Sequence, residues 1–338
     1  MNRIISSFSL LLFMISMLGL SIPAQALTLK VATLAPAGTN WMKQMKLGAD
    51  AIKKRTSGRV KIKFYPGGVM GNDQSVHRKI RINQLQGGAF SSSGLANIDS
   101  AIQVYSLPML FKNFDEVDYV RQRMDDEVKS HMVANGFRIL GISEGGFARI
   151  LSSKSLANMS DIKDSKVWIP EGDQLVLDTF ETMGITPIAL PMSDVFTGLQ
   201  TGLIETIAST STGAIAFQWH SKISHMVDIP VLYVIGVLAV NEASFSKISP
   251  DDQKVVLDEM NQVFAIMDKT NRDDNISATE ALKTQGILVN LPDANEIQHW
   301  QDLSDKSIQK MIANGRIDQK VLDQVLKLLA EYRAQHRS

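Results

Sequence analysis

Ser249 to Gln285 reads SPDDQKVVLDEMNQVFAIMDKTNRDDNISATEALKTQ, and this stretch sets the architecture. Ser249 is a capping residue, Pro250 takes the first helical position, and Asp251 and Asp252 sit near the positive end of the helix dipole. After Pro250 no Pro or Gly interrupts the run until Gly286, which leaves 36 helical residues. At 1.5 Å per residue that is ~54 Å. A helix of that length exceeds one small domain and is expected to brace two.

Strand and helix signals alternate on its N-terminal side. Leu27, Leu29 and Val31 alternate with polar or small residues, as in a strand. Thr39 or Asn40 is placed to cap a helix whose apolar face is Trp41, Met45, Ala49 and Ile52. Val60, Ile62 and Phe64 form a strand that Pro66-Gly67-Gly68 ends. Asn113 is the expected cap of a helix carrying Val117, Val120, Met124, Val128 and Met132, with Gly136 at its end.

Short strands are predicted at Ile139–Ile142, Val167–Ile169 and Leu203–Ala208. Helices are expected from Gln174 to Met183 and from a Ser193 cap to Gly202. Val231–Val240 is long and apolar enough to be a strand buried on both faces, as in a parallel sheet. Two amphipathic helices, Asn295 to about Ile312 and Ile317 to about Arg333, close the chain. There is no repeat, low-complexity tract or Gly/Ser linker, so crossing strands are expected to join the lobes. The fold class is α/β with two lobes and a cleft between them.

Residues 1–26 read as a secretory signal: Arg3 makes the n-region positive, Ile4–Ile22 is uncharged and largely apolar, and Ala24-Gln25-Ala26 offers a cleavage site. Cleavage after Ala26 would leave a periplasmic chain of 312 residues, a length for about two domains. That mature chain holds 34 basic and 35 acidic residues, which argues against nucleic acid or an anionic membrane as partner. There is no Cys, so the core alone must stabilise the exported protein and thiol chemistry is excluded.

Nucleotide-binding motifs are missing: there is no phosphate-binding G-x-x-x-x-G-K and no G-x-G-x-x-G. None of the six His falls in H-E-x-x-H, and His220 and His225, five apart, are badly spaced for one helical face, so no metal is expected. Glu144, Glu171 and Asp173 follow predicted strands, where ligands of open α/β sheets bind. Two such carboxylates could serve hydrolysis, or equally act as caps or ligand acceptors. Ser91-Ser92-Ser93 and Ser209-Thr210-Ser211-Thr212 likewise follow strands and suit either capping or polar ligand atoms.

Three segments resemble the DctP family of TRAP-transporter (tripartite ATP-independent periplasmic) substrate-binding proteins, over nearly the whole mature chain. Lys53–Gly68, KKRTSGRVKIKFYPGG, is similar to the family's opening helix–strand unit, and Leu107–Phe111, LPMLF, to its L-P-F/M-L-F segment. Pro187–Gly202, PIALPMSDVFTGLQTG, is similar to P-x-x-M-x-x-S-E-V-Y-x-A-L-Q-T-G, with Asp194 and Phe196 replacing Glu and Tyr. The resemblance implies a periplasmic binding protein without catalytic activity or cofactor. It also implies closure of the two lobes on a small molecule and delivery to an ion-driven TRAP-type membrane permease.

The departures bear on the ligand. The family places an Arg in the strand entering the second lobe to grip a carboxylate; here Lys166-Val167-Trp168-Ile169-Pro170 puts Trp168 there. A second family Arg, in G-x-R, is offset in Gly146-Phe147-Ala148-Arg149, which turns Arg149 to the other face. Ser209 stands where an Asn usually sits. An indole offers an apolar face and one N–H donor but no charge. The expected ligand is therefore organic and less anionic than a simple carboxylate. The expected site is Ser91, Ser92, Glu144, Phe147, Trp168, Glu171, Asp173, Met192, Ser209, Thr210 and Tyr233. The expected organisation is lobe I at 27–147, lobe II at 148–232, a returning strand and bridging helix at 233–286, and C-terminal helices packed on the lobes at 287–338. Alternative readings are a ligand-dependent sensor partner of a membrane receptor and a periplasmic hydrolase using Glu144 with Glu171 or Asp173.

Overall fold

The computed structural model describes residues 26–336 apart from residue 97. The predicted secretory signal lies outside the described residues except for Ala26. The first lobe opens with β1 (Leu27–Thr33), α1 (Asn40–Arg55), β2 (Val60–Tyr65), α2 (Asp73–Arg81), β3 (Gly87–Ser91) and α3 (Ser92–Leu95). A 3-10 segment at Ser100–Ser106 precedes α4 (Phe114–Ala134), and β4 (Phe137–Ser152) then leaves the lobe. The second lobe holds α5 (Met159–Lys163), β5 (Trp168–Pro170), α6 (Gln174–Thr182), β6 (Ile188–Leu190), α7 (Val195–Thr201), β7 (Thr206–Ser209) and α8 (Ser211–Ala216). β8 (His225–Asn241) returns to the first lobe. There follow α9 (Glu242–Phe245), α10 (Pro250–Thr284), β9 (Leu288–Asn290), α11 (Ala294–Ala313) and α12 (Gln319–Gln335).

A seven-stranded sheet in the order β2-β1-β3-β8-β4-β7, with β9 beside β8, runs through both lobes. β1 pairs in parallel with β2 and β3, whereas β8 is antiparallel to β3 and β4. β4 and β8 pair from Phe137↔Asn241 to Ser152↔His225, so two crossing strands do join the lobes. A small parallel sheet of β5 and β6 completes the second lobe, tied to β7 by a Val167↔Thr206 bridge.

Several strand limits differ from the sequence reading for local reasons. The strand expected at Ile139–Ile142 is the start of a 16-residue β4. Gly145 and Gly146 resemble breakers, but a bulge absorbs them: the register shifts between Glu144 and Gly146, and Gly146 takes φ +93°. Val231–Val240 belongs to an antiparallel β8, not a parallel strand, yet its end is buried on both faces. Leu238 and Val240 pack with α10 residues, while Val237 and Ala239 pack with α4 and α12. β7 begins at Thr206, later than the expected Leu203. Ser193 lies in a 3-10 turn and does not cap α7, which Gly202 ends at φ +69°.

α10 spans 35 residues, and the Ser249 hydroxyl accepts from the Asp252 N–H as the cap. Its first half packs Val256, Met260, Val263 and Phe264 into the first-lobe core beside β1 and β8. A Cβ on Gly141 of β4 would lie 2.1 Å from the Phe264 ring, so the bare backbone lets the helix approach the crossing strand. Its last turns reach the second lobe, where Leu282 joins the core of Trp168, Val195 and Trp219 and Thr279 bonds Ser211. α12 packs Val321, Leu322, Val325 and Leu329 on the first lobe, and α11 packs Trp300 on the second.

Candidate functional site

The C-terminal ends of β3, β5 and β7 converge between the lobes on a cavity of about 200 Å³. The first lobe lines it with Ser91, Ser92 and Ser93, and with Gln103 and Ser106 of the 3-10 segment. The second lobe supplies Trp168, Asp173, Met192, Ser209 and Thr210. Apolar walls come from α6 through Leu175, Val176 and Phe180, and from Phe217 and Trp219. A wider polar mouth of about 620 Å³ shares Ser91, Ser93, Pro170 and Met192 with this cavity and is edged by Asn72, Gln74, His77 and Arg78 of the α2 segment.

Seven of the eleven residues expected at the site therefore line one cavity. Their hydroxyls also serve the local fold, so capping and lining are not alternatives. Ser91 caps α3 by accepting from the Gly94 N–H at 3.2 Å, and Thr210 caps α8 by accepting from the Gly213 N–H at 3.1 Å. Ser92 donates to the Ser106 hydroxyl, and Ser209 donates to the Thr210 carbonyl. Asp173 caps α6 through the Val176 N–H at 3.1 Å. Burial pushes its carboxyl up to about 6, although the Val176 and Leu175 N–H groups and the Ser93 hydroxyl all favour the charged form. Glu171 sits at the mouth, where it accepts from Asn72.

Trp168 is 5% exposed and belongs to the second-lobe core, and it also forms cavity wall. Its Nε1 donates to the Leu190 carbonyl at 3.0 Å, and its ring meets Trp219 edge-on at 5.6 Å. The one donor of the indole is thus engaged within the protein, which leaves its apolar part for the cavity wall. Arg149 is paired with Asp228 and is not part of the wall. Among the described residues lining the inner cavity, Asp173 is the sole ionisable one.

Glu144, Phe147 and Tyr233 are placed elsewhere, and strand periodicity is the reason. Leu232, Val234 and Ile235 of β8 line the cavity, whereas Tyr233, between the first two, packs into the first-lobe core. Phe147 is its register partner on β4, and their rings lie 5.5 Å apart beside Phe111 and Phe114. The fully buried Glu144 is held by Arg272, which also pairs with Asp118 of α4, and accepts from the Tyr233 hydroxyl at 3.0 Å. Burial first of all raises the Tyr233 pKa far above its ordinary value, keeping it a donor. The Glu144 backbone is held as well: its N–H donates to Asp268, and its carbonyl accepts from Asn271. This cluster fastens the β4 bulge to α10 and α4. The carboxylate pair required for hydrolysis is not assembled, because Glu144 lies in this cluster while Asp173 faces the cavity and Glu171 the mouth.

Sequence reasoning did not single out Gln103, Phe217 or Trp219, or the Leu175–Phe180 face of α6. The aromatic pair Phe217 and Trp219, stacked at 5.1 Å, was the available signal. His77 at the mouth was also missed: its Nε2 is buried without a hydrogen-bond partner among the described residues, its ring packs 4.8 Å from Phe90, and burial lowers its pKa.

Comparison with known proteins places this geometry. Residues 31–314 match the bacterial extracellular solute-binding protein family 7, DctP. The 2,3-diketo-L-gulonate-binding periplasmic protein YiaO of Escherichia coli K12 is 22% identical over 251 residues, covering 71% of this chain and 74% of its own. A TRAP periplasmic solute-binding protein from Desulfovibrio salexigens with bound orotic acid superposes with a TM-score of 0.82 at 17% identity, over 91% of this chain and 99% of that one. The sugar acid binding protein DctPAm from Advenella mimigardefordensis, in complex with galactonate, gives 0.83 at 19%, over 91% and 99%. At these identities the structural likeness speaks to the fold, and the family match speaks to descent. The three segments recognised in the sequence lie inside the matched span, and the chain belongs to the bacterial extracellular solute-binding protein family 7, DctP.

Proposed function

We propose that this chain captures a small organic solute between its lobes in the periplasm and delivers it to a TRAP-type membrane permease, without transforming it. The observation that supports this most is a cavity walled by both lobes, with hydroxyls on one lobe facing an apolar and hydroxyl surface on the other. Enclosure between lobes is how a two-lobed receptor couples binding to a shape that a permease can read. Membership of the family supports the export, and cleavage after Ala26 would leave Leu27 as the mature N-terminus. Intact mass of the periplasmic protein checks that position.

The binding set we favour is Ser91, Ser92, Trp168, Asp173, Met192, Ser209 and Thr210, with Glu171 at the mouth. Glu144, Phe147 and Tyr233 serve the hinge in this reading. The lobe limits 27–147 and 148–232 fall inside β4 and β8, the crossing strands, with 233–286 bridging and 287–338 packed outside.

The solute is organic and less anionic than a simple carboxylate. No arginine or lysine lines the inner cavity among its described residues, and the position of the family's Arg holds Trp168 with its donor engaged. A dicarboxylate there would meet Asp173 with no compensating cation. Mass spectrometry of the compound released from gently purified protein tests the reading. A neutral or weakly charged organic molecule is expected; a simple dicarboxylate such as succinate would overturn the charge argument.

A further inference from the structure

Behind the α6 wall of the cleft lies a second, smaller chamber of about 100 Å³. It shares Ser106, Leu175, Val176, Phe180, Ala208 and Leu232 with the cleft cavity, so one layer of side chains separates the two. Its far side is Met109, Met159, Met183, Ile162, Ile185 and Trp300. Most polar atoms on its wall are engaged elsewhere; Ser106, shared with the cleft, accepts from the Ser92 hydroxyl. Thr179 donates to the Leu175 carbonyl, Ser304 donates to the Trp300 carbonyl, and the Trp300 indole donates to Glu296. A water molecule there would find few partners, and apolar cavities of this kind stay dry or take apolar guests.

Two further observations argue against a mere packing fault. Met109 holds a left-handed backbone at φ +50°, a conformation costly for a side chain of that size, while its N–H donates to the Val231 carbonyl of β8. Strain of this sort persists where the surroundings demand it. Three methionines also line one small space, and flexible thioether chains repack around guests of differing shape.

We infer that the chamber is an apolar subsite for a short alkyl or aryl tail of the solute, whose polar head stays among the hydroxyls of the cleft. The inference rests on the cleft being the solute site. Rotation of Phe180 or Leu232 would open the passage. The solute class is then an elongated amphipathic molecule, not a compact polyhydroxy acid.

The test uses two probes on the full mature chain. Crystals pressurised with xenon should show it between Met109 and Trp300. Linear amides from propanamide to octanamide, titrated by ligand-detected NMR, should gain about fourfold in affinity per methylene until the chamber is full. Ile185→Phe and Met183→Phe, which fill the chamber from two sides, should flatten that series while leaving propanamide binding unchanged. Either variant suffices if the other fails to fold. Absence of xenon from the chamber overturns the inference, as does bound propanamide with a flat series in the unmodified protein. Xenon in the chamber with no amide bound at any length would overturn the cleft as the polar subsite, and with it the tail.

Discussion

Asn72 Nδ2 donates to Glu171 Oε2 at 3.3 Å, joining the N-cap of α2 in the first lobe to the turn after β5 in the second. Nearby, Ser93 of the first lobe and Asp173 of the second line the same cavity. The Asn72–Glu171 contact is thus an interlobe bond at the cleft.

Removal of the Asn72–Glu171 bond should loosen closure without harming either lobe. Asn72→Ala or Glu171→Ala should weaken solute binding by about 2- to 10-fold, the scale of one hydrogen bond worth ~0.5–1.5 kcal/mol. The double substitution should add little to either single one. Small-angle scattering of the variants should show a larger radius of gyration at subsaturating solute, with urea midpoints unchanged. Fully additive losses would mean that the two side chains act separately.

Trp168 serves both the cavity and the second-lobe core, so Trp168→Ala should fail on two assays. Folding stability should fall by ~3–5 kcal/mol, the usual cost of truncating a core aromatic. Binding by the surviving folded fraction should weaken by ~2–4 kcal/mol. Trp168→Phe keeps an apolar face but removes the donor to Leu190, and should cost about 1 kcal/mol of stability with binding nearly intact. Urea unfolding and calorimetric titration separate these effects. A large affinity loss in Trp168→Phe would place the indole N–H in ligand recognition after all.

Asp173 links stability to pH. Its carboxyl is raised from 3.8 to about 6 in the folded protein, so the folded state binds the proton more tightly than the unfolded chain. The stability associated with that proton is fully present below the unfolded value and is lost as pH rises through about 6. Asp173→Asn retains a capping side chain without the buried charge. It should be more stable than the parent by up to about 3 kcal/mol at pH 7.5, at ~1.4 kcal/mol per pKa unit. The two should differ little near pH 4. Denaturant unfolding at both pH values checks the sign, and an equal difference at both would detach the effect from titration.

Arg272 holds Glu144 and Asp118 together at the β4 bulge. Arg272→Ala would leave the buried Glu144 carboxylate without its cation and should cost ~3–5 kcal/mol of stability. Glu144→Gln in the same chain should recover part of the loss, because the charge to be compensated disappears. Solute affinity of the folded fraction should change far less than in Trp168→Ala. Thermal and urea unfolding of the single and double variants provide the comparison.

The elements whose cause is local were legible in the chain. Ser249, Pro250 and the following acids predicted α10 to within a residue or two, and Asn113 and Gly136 framed α4. Apolar alternation marked β1 and β2, and the hydroxyl clusters after β3 and β7 do reach one cavity. Legibility failed where one residue had two plausible partners. Gly145 and Gly146 look the same whether they end a strand or form a bulge; in the fold the bulge is held by α10, with Asn275 donating to the Gly145 carbonyl and Arg272 pairing with Glu144. Tyr233 and Phe147 sit on strands at the cleft, but a one-residue difference in facing sends them to the aromatic cluster beside Glu144.

By itself, then, the sequence determined the two-lobed α/β class and the long brace, which depend on residue type and periodicity, and its motifs carried the family resemblance that marks position 168 as a Trp where an Arg is usual. Tertiary structure alone decided which carboxylate lines the inner cavity, that the Trp168 donor is used up by Leu190, and that Glu144 belongs to Arg272. These are contacts between residues 22 to 128 positions apart. Such contacts follow from strand register and lobe closure, which no local pattern encodes.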